Sequence, residues 1–231
     1  MGELSKIQVM AIAILPVLFA ITVHEVAHGW VAKRLGDPTA DMLGRLTLNP
    51  IRHIDPVGTI LLPLFLIWMS LPVIGWAKPV PITWENLRRP KRDIGLVAVA
   101  GPASNLLMAL FWALIMKIGL TVAPNNDYLG VPLIFMGFAG IYVNGLLMVL
   151  NMIPLPPLDG GRVLTSLLPG PWSYKVSQIE PYGMFILIFL LISGVLGAIL
   201  LPPFFMYLGA IGWLFDIQGQ LIQILSFFFG K

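Results

Sequence analysis

Six apolar runs, at roughly residues 9–31, 57–75, 94–120, 129–153, 182–201 and 204–229, fill most of this 231-residue chain. Each comes close to the ~20 helical residues that cross the hydrocarbon core of a bilayer. Backbone N–H and C=O groups find no water there, so such segments must become helices or pack against them. Composition agrees, with 58% hydrophobic and only 11% charged residues, against roughly 25% charged in soluble domains. The expected fold is an all-α polytopic membrane protein with about five to six transmembrane segments. Twenty prolines and 23 glycines are many for plain spans and predict broken or re-entrant helices. No repeat, low-complexity tract or long polar stretch interrupts the pattern. A single transmembrane domain over 1–231 is therefore expected, with a core at about 9–165 and additional C-terminal spans at about 181–229.

The net charge of +3 is not spread evenly, since nine of the 14 Lys and Arg lie between Lys33 and Arg92. In a membrane protein such clustering reports topology, not nucleic-acid binding. Lys33, Arg34, Arg45 and Arg52 follow the first run; Lys78, Arg88, Arg89, Lys91 and Arg92 follow the second. Both stretches favour the cytoplasm, and one span cannot separate two loops on the same side. The run between them is short and holds Pro63 and Pro72. It predicts a re-entrant hairpin, or a span that returns as the extended stretch "GWAKPVPI". Elsewhere "TVAPNNDY" lacks basic residues and reads as outside, "LPP" at 201–203 as a tight outside turn, and the region of Arg162 and Lys175 as inside. That puts the N-terminus outside and the C-terminus in the cytoplasm, in what we expect to be a prokaryotic plasma membrane. There is no cysteine, which excludes disulfides, thiol catalysis and thiolate metal sites. No cleavage site of a signal peptide is evident after Lys6, so the first run is expected to stay in the mature protein.

Within that first run stands "HEVAH", residues 24–28. His24 and His28, four apart, share one helix face, the spacing at which two imidazoles hold one tetrahedral zinc ion. Glu25 beside them is placed to act as general base, the H-E-x-x-H logic of zinc hydrolases. Two interfacial histidines and a snorkelling glutamate would also fit such a string. Bare ionisable groups in a span are costly, however, by a few kcal/mol for a central charge. A catalytic zinc needs a third protein ligand and an open position. Asp159, Asp55, His53 and Asp41 are the candidates. Asp41 and Asp55 lie among basic residues in a polar loop, where a solvated carboxylate is ordinary. Asp159 lies in "NMIPLPPLDGG", whose prolines and glycines break the helix and can turn the carboxylate back into the membrane, and it is favoured. His24 and His28 precede Lys33 by nine and five residues, roughly 8–14 Å of helix. "GPASN" (101–105) begins eight residues past Asp93, a similar depth from the same face.

"HEVAH", "GPASN" and "NMIPLPPLDGG", in this order within apolar segments, resemble the site-2 protease family of intramembrane zinc metalloproteases, a resemblance that spans residues 24–161. "NPIRHIDPVGT…GWAKPVP" is similar to the compact branch of that family, which lacks an inserted PDZ domain. The resemblance implies one Zn²⁺ per chain, held by His24, His28 and Asp159, with Glu25 as base. It places the family's two asparagines on Asn105 and Asn151. Both could donate to an oxyanion or to substrate backbone, although interhelical hydrogen bonding would serve equally. His53 could be a pocket histidine or an interfacial one. Asn144 fits interhelical bonding better, and Asp216 has no assignment. The expected partners are the bilayer and a transmembrane protein substrate, bound as an unwound segment, with no nucleic acid. Such a segment could add as a strand to an edge in "RLTLNPI" or "GWAKPVPI", where Pro79 and Pro81 strip one side of donors. A divalent-cation transporter or channel would also place His, Glu and Asp in the membrane, but the two halves show no repeated helix pattern. A module that only binds membrane segments has no use for Glu25.

Overall fold

A computed structural model of the protein describes residues 6–69 and 75–229. Helix α1 (Lys6–Leu35) carries the first motif and ends with Lys33 and Arg34 in its last turn, where cations complement the helix dipole. Gly36, at φ +119, breaks it, and the short α2 (Thr39–Met42) follows. After a 3₁₀ turn at Pro50–His53, the Asp55 carboxylate accepts from the N–H groups of Val57 and Gly58. It thereby caps a π-helical turn (Pro56–Leu61) that runs into α3 (Leu62–Trp68).

Part of the second apolar run, residues 70–74, lies outside the described residues. Its two flanks nevertheless meet: Trp76 N–H donates to Gly58 C=O at 3.2 Å, and the Thr59 hydroxyl donates to Trp76 C=O at 2.9 Å. Helical structure from Pro56 to Trp68 reaches only about 20 Å at 1.5 Å per residue, short of a ~30 Å core. Entry and exit side by side are what a re-entrant element requires. The returning segment, 75–83, is extended, and among the described residues no strand ladder forms around it. Instead Lys78 N–H donates to His53 C=O, and the Arg45 guanidinium donates to the carbonyls of Lys78 and Pro79.

A 3₁₀ turn (Trp84–Asn86) leads to α4 (Pro90–Val122), which has Pro90 in its first turn. Helix α5 (Asp127–Asn151) packs against it. The two approach closely at glycines: a Cβ on Gly137 would meet Met116 backbone, and one on Gly140 would strike the Trp112 ring. Small residues let membrane helices approach in this way. Trp112, Met116, Phe138 and Ile141 form the core with Phe204, Tyr207 and Ile211. Past the proline turn come α6 (Asp159–Leu167), α7 (Gly170–Ser177) and α8 (Glu180–Ile192). Then α9 (Val195–Phe215) and α10 (Gln218–Phe229) complete the chain.

The expected turn at "LPP" is not there: Pro202 and Pro203 lie inside α9. The chain breaks instead at Gly194 (φ +76) and Asp216 (φ 54), both left-handed conformations that end a helix. Proline removes one donor, but in an apolar span the helix persists across it, because breaking the remaining backbone hydrogen bonds would leave polar groups with no water to receive them. Asp216 thereby gains a role, since its carbonyl and carboxylate both receive Lys117 Nζ from the end of α4. Helix α10 folds back and sets Phe228 against Phe135 and Phe138 of α5. Four helices, at Ala11–Leu35, Pro90–Val122, Asp127–Asn151 and Val195–Phe215, are long and apolar enough to cross a membrane, and α7 with α8, bent by 61°, makes up to five.

Candidate metal centre

Helical spacing brings His24 and His28 together on one face of α1, their rings edge to face at 4.7 Å. Asp159 arrives from the first turn of α6. A Cβ on Gly160 would meet the carbonyls of Met152 and Ile153, and one on Gly161 would meet Pro156. Only glycines let the chain fold this tightly onto the proline turn. All three side chains are buried. The Nε2 atoms of His24 and His28 are 3.1 Å apart, and each is 3.3 Å from Asp159 Oδ2.

The outer nitrogen of each ring is fixed by what lies behind it. His28 Nδ1 faces the Val97 carbonyl at 2.7 Å. A carbonyl can only accept, so Nδ1 carries a hydrogen, and the neutral imidazole turns its Nε2 lone pair into the triangle. His24 Nδ1 faces Asn105 Oδ1 at 2.6 Å, with the same result. Two imidazole lone pairs and a carboxylate oxygen thus converge in an apolar bundle, and Asp159 Oδ2 has no hydrogen-bond partner. Such a cluster is unstable alone and matched by a cation. Zinc bonded at about 2.0–2.1 Å to tetrahedral N and O ligands requires donor–donor edges of roughly 3.3–3.4 Å. The observed edges therefore fit zinc, and fixed Nδ1–H partners behind ligating histidines are the usual outer shell of such sites. Among the described residues this is the sole His, Asp or Glu group so arranged.

The other candidate ligands are engaged elsewhere. Asp41 pairs with Lys33 at 2.7 Å, Asp55 caps the π turn, and His53 Nε2–H donates to Thr47 C=O at 2.9 Å. His53 is buried but does not line the cleft beside the triad, so the structure gives it no place against substrate. Its backbone instead holds the returning segment at Lys78. Nor does Asn105 reach the cleft: it is fully buried behind His24, a supporting position in place of the substrate contact considered from sequence. Asn151 does line the cleft, its amide nitrogen donating to Leu147 C=O. Two contributions went unread in the sequence. Gly101 of "GPASN" is where α4 passes the imidazoles, and a Cβ there would collide with His28 Nε2 and His24 Cε1. Val97 is an unremarkable apolar residue whose carbonyl, not its side chain, matters.

The cleft, of about 310 Å³, is bounded by His24, Glu25, His28 and Asp159 on one side and by the extended segment at Pro79, Val80 and Ile82 on the other. Glu25 Oε2 accepts from Val80 N–H at 2.8 Å. Val80 C=O and both backbone groups of Ile82 have no hydrogen-bond partner among the described residues. Farther along, buried Asp37 fastens the same segment, accepting from Thr83 N–H, Asn86 Nδ2 and Thr39. Burial pushes its carboxyl up, but these hydrogen bonds outweigh that and hold it below the usual carboxylate range.

Comparison with known proteins gives a consistent picture. The family described as "Peptidase family M50" matches residues 129–193. The Bacillus subtilis protein named "Putative zinc metalloprotease YwhC" is 34% identical over 205 residues, covering 85% of this chain and 87% of its own. "Putative zinc metalloprotease Rip2" of Mycolicibacterium smegmatis is 29% identical over 233 residues, 98% of this chain and 85% of that protein. No solved structure gives a significant match.

Proposed function

The chain belongs to peptidase family M50, the site-2 protease family, and on that premise we propose that it is an endopeptidase that cuts transmembrane segments of other proteins within the bilayer. It is a zinc metalloendopeptidase and an integral membrane protein. His24, His28 and Asp159 hold the zinc, with Glu25 as general base. The observation that carries this reading is the Nε2–Nε2–Oδ2 triangle, with edges of 3.1–3.3 Å, buried among apolar helices.

Zinc held there supplies Lewis acidity, which makes a water acidic enough to attack near neutral pH and polarises the peptide carbonyl. Glu25 Oε2 is occupied by Val80 N–H, which leaves Oε1 to take the proton from the attacking water. The same carboxyl then returns that proton to the leaving amine, and the C–N bond breaks. A helical substrate conceals its peptide bonds in its own hydrogen bonds and must unwind first. Among the described residues Val80 C=O and the N–H and C=O of Ile82 have no partner, and they suit the addition of an extended chain. Pro79 and Pro81 keep the opposite side of that segment free of donors. Asn151, in the cleft wall, is available to a substrate carbonyl. We place the site near the cytoplasmic face of a prokaryotic plasma membrane, with the N-terminus outside. Lys33 and the basic stretches around α2 and the re-entrant element support this orientation.

Glu25→Gln tests the proposal. Purified protein carrying it is expected to keep its zinc and lose at least 10³-fold of its cleavage of a transmembrane substrate, in line with loss of a general base. A variant that still cleaves at the wild-type rate removes Glu25 from the mechanism.

A further inference from the structure

Helix α5 supplies no metal ligand, yet it holds a fully buried asparagine, Asn144, two turns from the cleft. Its carboxamide ends a directed chain of hydrogen bonds. His24 Nδ1–H donates to Asn105 Oδ1 at 2.6 Å, Asn105 Nδ2–H donates to Asn144 Oδ1 at 2.9 Å, and Asn144 Nδ2–H donates to the Gly140 carbonyl at 2.8 Å. The second hydrogen of Asn105 Nδ2 goes to Ala20 C=O at 3.2 Å.

The order of these bonds follows from two carbonyls that can only accept, those of Gly140 and Ala20. The Gly140 carbonyl cannot donate, so the Asn144 amide must turn its nitrogen toward it and its oxygen toward α4. Facing that oxygen, Asn105 must present nitrogen, and its own oxygen then faces His24. An amide rotated by half a turn would offer His24 an N–H instead. The imidazole would answer by moving its hydrogen to Nε2, into the triangle where a lone pair is needed. Ala20 C=O alone, at 3.2 Å, is the weaker of the two acceptors that set Asn105.

We propose that Asn144 is a positioning residue for the metal centre: through Asn105 it selects the His24 tautomer whose Nε2 lone pair faces His28 and Asp159. This rests on the reading of His24 as a metal ligand. His28 is an internal control, because its Nδ1–H is held by the Val97 carbonyl, outside the chain of amides. A purely structural Asn144 would only tie α4 to α5 and would leave the imidazole untouched.

Asn144→Val and Asn144→Thr separate the two roles. They have the same branched shape, but only the threonine hydroxyl can accept from Asn105 while donating to the carbonyl four residues earlier. The full chain in detergent micelles is read in two ways: histidine ¹⁵N NMR of the metal-free protein, and zinc affinity by chelator competition. Asn144→Val is expected to give His24 a mixture of tautomers, to leave His28 unchanged, and to weaken zinc binding on the order of tenfold. Asn144→Thr is expected to restore both, and Asn144→Val is expected to add nothing once Asn105 is Ala. An unchanged His24 tautomer in Asn144→Val, equal defects in the valine and threonine variants, or additive losses with Asn105→Ala would overturn the proposal. Failure of the wild type to bind zinc would sink the metal reading, while the tautomer measurement still decides the role of Asn144.

Discussion

At the scale of single residues, the centre depends on what cannot be added as much as on what is present. Gly101 leaves the space that both imidazoles fill. Gly101→Ala is expected to push them apart and weaken zinc by about 100-fold, at the upper end of supporting-residue effects. Chelator competition measures this, and unchanged affinity would show that α4 can shift to absorb a methyl group. Asp159→Ala is expected to empty the site at ordinary zinc concentrations, as metal analysis of the purified protein would show. His24, Glu25, His28 and Asp159 were legible in the sequence, because ionisable groups in apolar runs demand a partner of matching chemistry. Asn105, Asn144 and Asn151 were not separable, because a buried amide reads alike whether it faces substrate, a ligand or a neighbouring helix. Only distances divide them, and they place Asn105 behind His24 and Asn151 in the cleft wall.

Among the elements, the extended segment 75–83 is fastened at two points, by Glu25 of α1 to Val80 and by Asp37, just past α1, to Thr83. Removing the Asp37 carboxylate leaves several partly buried donors without their acceptor, at a cost of about 1 kcal/mol, the lower end for such groups. Its folded pKa lies below the unfolded value. Its stabilisation is therefore complete above the ordinary carboxylate pKa of about 3.9 and is lost as pH falls through the lower folded value. Asp37→Ala is expected to melt earlier than wild type at pH 7, and the gap is expected to narrow in acid below pH ~4; a gap that widens there contradicts this sign. The re-entrant element makes a second prediction. Single cysteines at Arg52 and Lys78 are expected to label from the same face of sealed vesicles, and one at Asn125 from the other. Labelling of Arg52→Cys and Lys78→Cys from opposite faces would make that element a span. The charge pattern is the reason to expect re-entry, since two basic stretches on one side could not straddle one span. The "LPP" turn failed because proline was weighed as it acts in water, whereas in an apolar span the surrounding backbone hydrogen bonds keep α9 intact.

Across the whole molecule, the candidate ligands come from α1 and α6, which are far apart in sequence, and α4 packs on both with Gly101, Val97 and Asn105 beside the imidazoles. Helices α5 and α9 form the apolar core that holds α4 in place. This division explains why the fold was readable from six apolar runs, while the breaks within the last two were not. Hydrophobicity fixes membership in the bundle; left-handed residues such as Gly194 and Asp216 fix where the chain turns. The same architecture puts an open cleft beside a buried metal centre, with unpaired backbone groups on the far wall. On the proposed mechanism the scissile bond lies within the membrane-embedded part of a substrate. Mass-spectrometric mapping of the products, with purified enzyme and a single-span substrate reconstituted in liposomes, locates that bond. A zinc-dependent cut is expected inside the substrate's apolar segment, toward the end nearest the basic loops of the enzyme, and no cut with Glu25→Gln. Cleavage confined to the substrate's soluble flanks, or an apolar cut that persists in Glu25→Gln, would contradict it.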